Sequence, residues 1–127
     1  MIYKEGMLCK HFKGQDLLHK NIYKIIKLGV SGDSIDLNTI TYTGDGMLEE
    51  ASDLVVYQNI FQNNKYFARE YYDISSELSL DQQEEFHQKI RVQPLNNEEI
   101  KLVTSEKFIV EKNTIEEEKY ELKRVKK

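Results

Sequence analysis

The sequence predicts a mainly β protein, and three observations carry that reading. Branched and aromatic residues gather in short runs, IYKIIKLGV at 22–30 and DLVVYQNIF at 53–61, the side chains that suit a pleated, half-buried surface. Turn residues separate the runs: Lys13-Gly14, the glycines at 32, 44 and 46, and Asn63-Asn64. Helix signatures are confined to a stretch after Ser79 and to an ambiguous C-terminus.

Leu8 to Phe12 reads as a short strand before the Lys13-Gly14 turn. Ile22 to Val30 is a strand, with Gly29 marking its end or a bulge. Residues 31–52 are loop-rich, with a short strand at Ile40 to Thr43; a loop of this length inside a domain is often functional. In Asp53 to Phe61, Leu54, Val56 and Ile60 point one way and Val55, Tyr57 and Phe61 the other. Apolar residues on both faces predict a central strand covered on both sides. Asn63-Asn64 then turns the chain into a returning strand at Tyr66 to Arg69, a β-hairpin.

Ser79 followed by Gln82 has capping-box spacing. Asp81, Glu84 and Glu85 follow early, where the helix dipole favours acids, and Leu80, Phe86 and Ile90 form a loose apolar stripe. One helix is expected over about 80–89, and Pro94 closes the segment that follows it. KLVTSEKFIVEK reads as a strand centred on Phe108 to Val110. Residues 114–127 read either as the second strand of a C-terminal hairpin or as a helix capped by Thr114 with Glu117.

The chain has 127 residues, 39% of them hydrophobic, the size and composition of one globular domain over 1–127. The single cysteine, Cys9, excludes an intrachain disulfide and reads as a small buried hydrophobe rather than a nucleophile. No run of about 18 apolar residues exists to span a membrane. Charges in MIYKEGMLCKHFKG occupy the place of a signal peptide's apolar stretch, so the expected compartment is the cytoplasm. The net charge of −4 argues against non-specific binding to phosphate backbones. Charge is nonetheless uneven: Lys4, Lys10, Lys13, Lys20, Lys24 and Lys27 crowd the first segment, while Glu70, Asp73, Glu77, Asp81, Glu84 and Glu85 lie in a stretch without Lys or Arg.

His11-Phe12-Lys13-Gly14, with Gly6 before it, resembles the opening of a bacterial family known as domain of unknown function 1653. Tyr23-Lys24-Ile25 resembles that family's second strand, Leu54-Val55-Val56-Tyr57 its third, and Phe67-Ala68-Arg69 its arginine segment. Ser76-Glu77-Leu78 and Lys89-Ile90-Arg91-Val92 resemble the tail of longer members. The likeness covers residues 6–95 and leaves 96–127 as a C-terminal extension. Glu70 stands where the family has proline, Asp73-Ile74 stands where it has Met-Phe, and 15–21 and 31–52 look like insertions. The resemblance implies a small SH3-like β-barrel, here with the added helix, and implies no reaction.

Candidate chemistry is sparse. Histidine is the residue type that ordinarily titrates near neutral pH, and His11 reads either as a ligand-contacting imidazole or as a ring that fixes its turn. His19 and His87 lack metal-ligand spacing with His11 or Cys9, and no metal or cofactor is expected. Arg69 reads either as an anion-binding guanidinium or as the partner of a nearby acid. Tyr57, Tyr66, Tyr71 and Tyr72 cluster about the hairpin, with Phe12 and Tyr23 earlier in the chain. The expected function is therefore a non-enzymatic binding module for a protein or peptide, with a surface drawn from His11, Phe12, Lys13, Tyr57, Tyr66 and Arg69. A nucleic-acid-binding domain using the basic N-terminal hairpin is the alternative, and a small enzyme built on His11 and Arg69 is the third reading.

Overall fold

Alternation along each predicted strand decides how the sheet is built. A computed structural model describes residues 2–12, 21–61, 65–105 and 108–109. Its strands are β1 Leu8–His11, β2 Ile22–Val30, β3 Ile40–Tyr42, β4 Leu54–Asn59, β5 Tyr66–Glu70 and β6 Val92–Pro94. They form one sheet in the order β3-β5-β4-β2-β1-β6. All pairs are antiparallel except β3 with β5.

β4 is the interior strand that its sequence predicts. Leu54, Val55 and Val56 are all buried, so consecutive residues fill both faces. Val55 joins Tyr3, Cys9, Ile25, Ile74 and Val92 in one core. Leu54 and Val56 join Val30 and Ala68 in the other. Burying each Val, Leu or Ile side chain among them contributes about 1.5–3 kcal/mol. β2 keeps its partners through two register shifts, and Gly29, at φ +64°, occupies the second.

The sheet is open. β3 and β6 end the strand order and do not pair with each other, so the closed SH3-like barrel expected from the family resemblance is corrected to a six-stranded mixed sheet with helices. Each edge strand has only three residues, and Pro94 removes a ladder donor from β6. Too little ladder remains at either edge for closure.

Residues 31–52, expected as a loop, are organised by 3-10 turns at Gly32–Ser34 and Leu48–Glu50. Ile35, Leu48 and Ala51 pack on the Leu54 face of the sheet, so this segment covers core. Its β3 residue Tyr42 donates its hydroxyl to the buried Glu70 carboxylate. That bond is the main cause pushing the Tyr42 phenol from 10.0 up to about 12. The unfolded chain loses that proton first, so this contribution to stability is whole below pH 10 and is lost as pH rises toward 12. Unfolding midpoints in urea at about pH 8 and about pH 11 should therefore fall more steeply in the native chain than in Tyr42→Phe; equal falls would assign the alkaline loss to other groups.

α1, Tyr71–Ile74, follows β5 directly, a helical turn that composition did not predict. α2 spans Leu80–Phe86, and the capping box of Ser79 and Gln82 forms as expected. It stops short of residue 89 because His87 turns left-handed at φ 53° and Ile90 enters a bridge with Glu77. Leu80 is 83% exposed, so the expected Leu80–Phe86–Ile90 stripe does not form.

The chain divides into two compact units, Met1–Pro94 and Leu95–Lys127. The second contains α3, Asn97–Val103, with a full capping box from Asn96 and Glu99. Phe108 and Ile109 are helical. The strand expected across 101–112 is thus corrected: its first residues complete a capped helix, and its centre is helical where described. Val110 and the 114–127 segment lie outside the described residues, as does the Asn63-Asn64 turn.

Candidate binding surface

Register brings side chains of distant strands into one row. Phe67 of β5 lies opposite Tyr57 of β4, and Tyr57 lies opposite Ile25 of β2. Tyr23, two residues before Ile25, shares that face. The result is a row of half-buried rings across three neighbouring strands. Tyr23 meets Tyr57 edge-on at 5.3 Å, and Tyr57 stacks on Phe67 at 5.7 Å. Burial raises both phenols. A bond to Asn59 offsets the rise at Tyr23, and a bond to Thr43 is the larger offset at Tyr57, where the nearby Arg69 charge adds to it.

Arg69 follows Phe67 on the same face, opposite Val55. Its Nε lies 2.6 Å from Asp73 Oδ2 as an ion pair whose N–H is not in line for a hydrogen bond. The pair joins β5 to α1, with the two side chains at 24% and 22% exposure. Its effect is to hold the guanidinium beside the rings.

The six residues singled out in the sequence do not form one site. Tyr57 and Arg69 share the row's face. Tyr66 lies on the opposite face and packs against the Val30–Leu54–Val56–Ala68 core. His11 ends β1, which two strands, β2 and β4, separate from β5. Three strand spacings alone separate it from Arg69 by about 14 Å, and the register offsets the two further along the strands, too far for both to serve one reacting atom. The His11 ring stacks on Phe12 at 4.7 Å. Phe12 is buried against Phe86, with the Arg91 guanidinium 5.8 Å from its ring centre. Phe12 is therefore core, and Lys13 lies outside the described residues.

Phe67 of the row, and Thr43 and Asp73 beside it, were not singled out as site residues in the sequence, and Tyr23 was singled out only as an aromatic residue. Part of the signal was local: Phe67 and Arg69 are two apart in one strand and so share a face, while Tyr66 does not.

Cys9 is fully buried and its thiol is pushed up to about 12 by that burial, so it is a poor nucleophile at neutral pH. Among the described residues, no three His, Cys, Asp or Glu side chains converge to hold a metal ion, and no helix is long and apolar enough to cross a membrane. The face thus carries three half-buried rings with the Arg69–Asp73 ion pair beside them. Comparison with family models, curated proteins and solved structures gives no match.

Proposed function

We propose that this chain is a non-catalytic binding module that receives an extended polypeptide across the Tyr23–Tyr57–Phe67 row, and that its kin are the domain of unknown function 1653 proteins. The row carries the reading. Half-buried rings offer contact area at low entropic cost, and Arg69 beside them offers donors to a peptide carbonyl or carboxylate. Gly6 in the turn before β1, with β2, β4 and β5 at the family's strand positions, supports the kinship. In that case the SH3-like barrel is opened between β3 and β6.

The nucleic-acid reading rests on Lys10 and Lys24, diagonal neighbours on the face opposite the row. Phosphates held there would leave the bases on the wrong side of the sheet for Tyr23 and Phe67. That separation favours the peptide.

Selection of a randomised decapeptide library on the full chain tests the proposal. Selected peptides should lose roughly tenfold or more in affinity to Tyr23→Ala and Phe67→Ala. A selection without binders, or binders indifferent to both substitutions, would overturn it. A single-stranded oligothymidine that binds in a salt-dependent way and is lost in Lys24→Glu would replace it with the alternative.

A further inference from the structure

Asp45-Gly46 is the one place in the chain where an aspartate or asparagine precedes glycine. The pairing matters chemically. Glycine has no Cβ to shield its amide nitrogen, and its backbone turns freely enough to bring that nitrogen to the preceding carboxyl carbon. The fold leaves the pair accessible, since both residues are exposed in a bend that follows β3 and lies outside every helix and strand. Among the described residues, the Gly46 amide bonds to the Tyr42 hydroxyl and to no backbone carbonyl.

Other candidate positions are held. Asp33 precedes Ser34, but its carboxylate accepts the Ser31 hydroxyl, and the Ser34 amide donates to Ser31 O at 3.1 Å. Asp36 accepts the Asn38 amide at 3.0 Å, and the residue after it is leucine. Asn96 precedes Asn97 at the start of α3, where the Glu99 amide holds its side chain at 2.8 Å.

The 44–46 bend is also fitted to the Tyr42–Glu70 pair. A Cβ on Gly44 would clash with the Tyr42 hydroxyl and would lie 2.5 Å from Glu70 Oε2, so the main chain runs directly over both groups. Tyr42 donates to the buried Glu70 on one side and accepts from Gly46 on the other.

From this bend, and independently of the aromatic row, we propose that Asp45–Gly46 is a site of spontaneous aspartyl isomerisation in the folded chain, with the Tyr42 hydroxyl as the restraint on its rate. The Gly46 nitrogen attacks Asp45 Cγ. The OH of the protonated carboxyl leaves with the amide hydrogen as water, and a succinimide ring closes. Water then adds to one of the two ring carbonyls. Addition at Cγ breaks the new bond and restores aspartate. Addition at the backbone carbonyl breaks the original peptide bond and gives isoaspartate, whose main chain runs through Cβ and Cγ. Water is the sole co-reactant. The added length falls in the bend fitted over Tyr42 and Glu70.

The test is incubation of the full chain at neutral pH over weeks, then digestion and electron-transfer fragmentation, which tells isoaspartate from aspartate. Isoaspartate should accumulate at position 45 and not at 33 or 36, more slowly than in a synthetic peptide of residues 42–48. In Tyr42→Phe it should form about two- to tenfold faster, the factor that one neutral hydrogen bond is worth. Gly46→Ala should suppress it without disturbing the fold, because a Cβ there meets nothing nearer than the Tyr42 hydroxyl at 4.0 Å and the φ of Gly46 is not positive. A native chain that forms no isoaspartate at 45 while the peptide converts, or converts as fast as the peptide, would overturn the proposal. So would equal accumulation at 33, a native rate in Tyr42→Phe, or an undiminished rate in Gly46→Ala.

Discussion

Tyr3→Ala should lower the free energy of unfolding by about 3–5 kcal/mol, the cost of truncating a large buried ring. Tyr3 is fully buried with Cys9, Ile25, Val55, Ile74 and Val92 and meets Tyr71 edge-on at 5.5 Å. Its single hydroxyl proton is shared between Ile74 O at 2.9 Å and Val92 O at 2.6 Å. One side chain near the N-terminus thus ties the end of α1 to β6 beneath the Val55 face. Removing it opens a cavity and strips two carbonyls of a donor. Tyr3→Phe keeps the ring and separates the terms; it should cost about 1–3 kcal/mol for the lost donor alone. Domains are stable by only about 5–15 kcal/mol, so the alanine variant should show a large drop in its urea midpoint. A midpoint within error of the native value would show that residues 2–4 are not part of the cooperative unit.

Gly32→Ala should cost about 3 kcal/mol, the upper end of overpacking, for a local reason. Gly32 is buried, and its amide donates to Ala51 O at 2.8 Å. A Cβ there would sit inside the van der Waals envelope of the Leu48 carbonyl oxygen, 2.9 Å from the Leu48 carbonyl carbon and 3.1 Å from Ala51 O. Those atoms are backbone, so the two 3-10 turns must part. The 31–52 segment would lift its Ile35, Leu48 and Ala51 from the Leu54 face. Hydrogen exchange should rise across 31–52 while β1, β2 and β4 stay protected. A variant with native exchange and midpoint would contradict the close approach of the two turns.

Much of this fold was legible because its signals are local. β2 begins and ends at Ile22 and Val30 as its composition indicated, and the alternation of Leu54 and Val56 against Val55 and Tyr57 placed β4 inside. The Ser79–Gln82 box was equally readable. The Asn96–Glu99 box has the same spacing but went unread, because the strand-like composition of the branched run KLVTSEKFIV pointed to a strand there. His87 leaves no such trace, since a left-handed non-glycine residue arises only where its surroundings impose it.

The candidate surface was less legible, and the reason is the same throughout. Tyr57 and Arg69 could be singled out as residue types, but their company depends on which strands are neighbours. His11 looked like a partner for Arg69 until the strand order set β2 and β4 between them.

By itself the sequence determined a mainly β chain, the limits of its longest strands, the capped start of α2 and a thiol suited to burial. The tertiary structure alone decided that β3 lies parallel beside β5, that the sheet stays open, and that Tyr23, Tyr57 and Phe67 meet in one row. Period-two alternation and capping act within a few residues, so they are written in the local text. Strand order and closure arise from packing two cores on opposite faces of one sheet, between residues as far apart as Tyr3 and Val92.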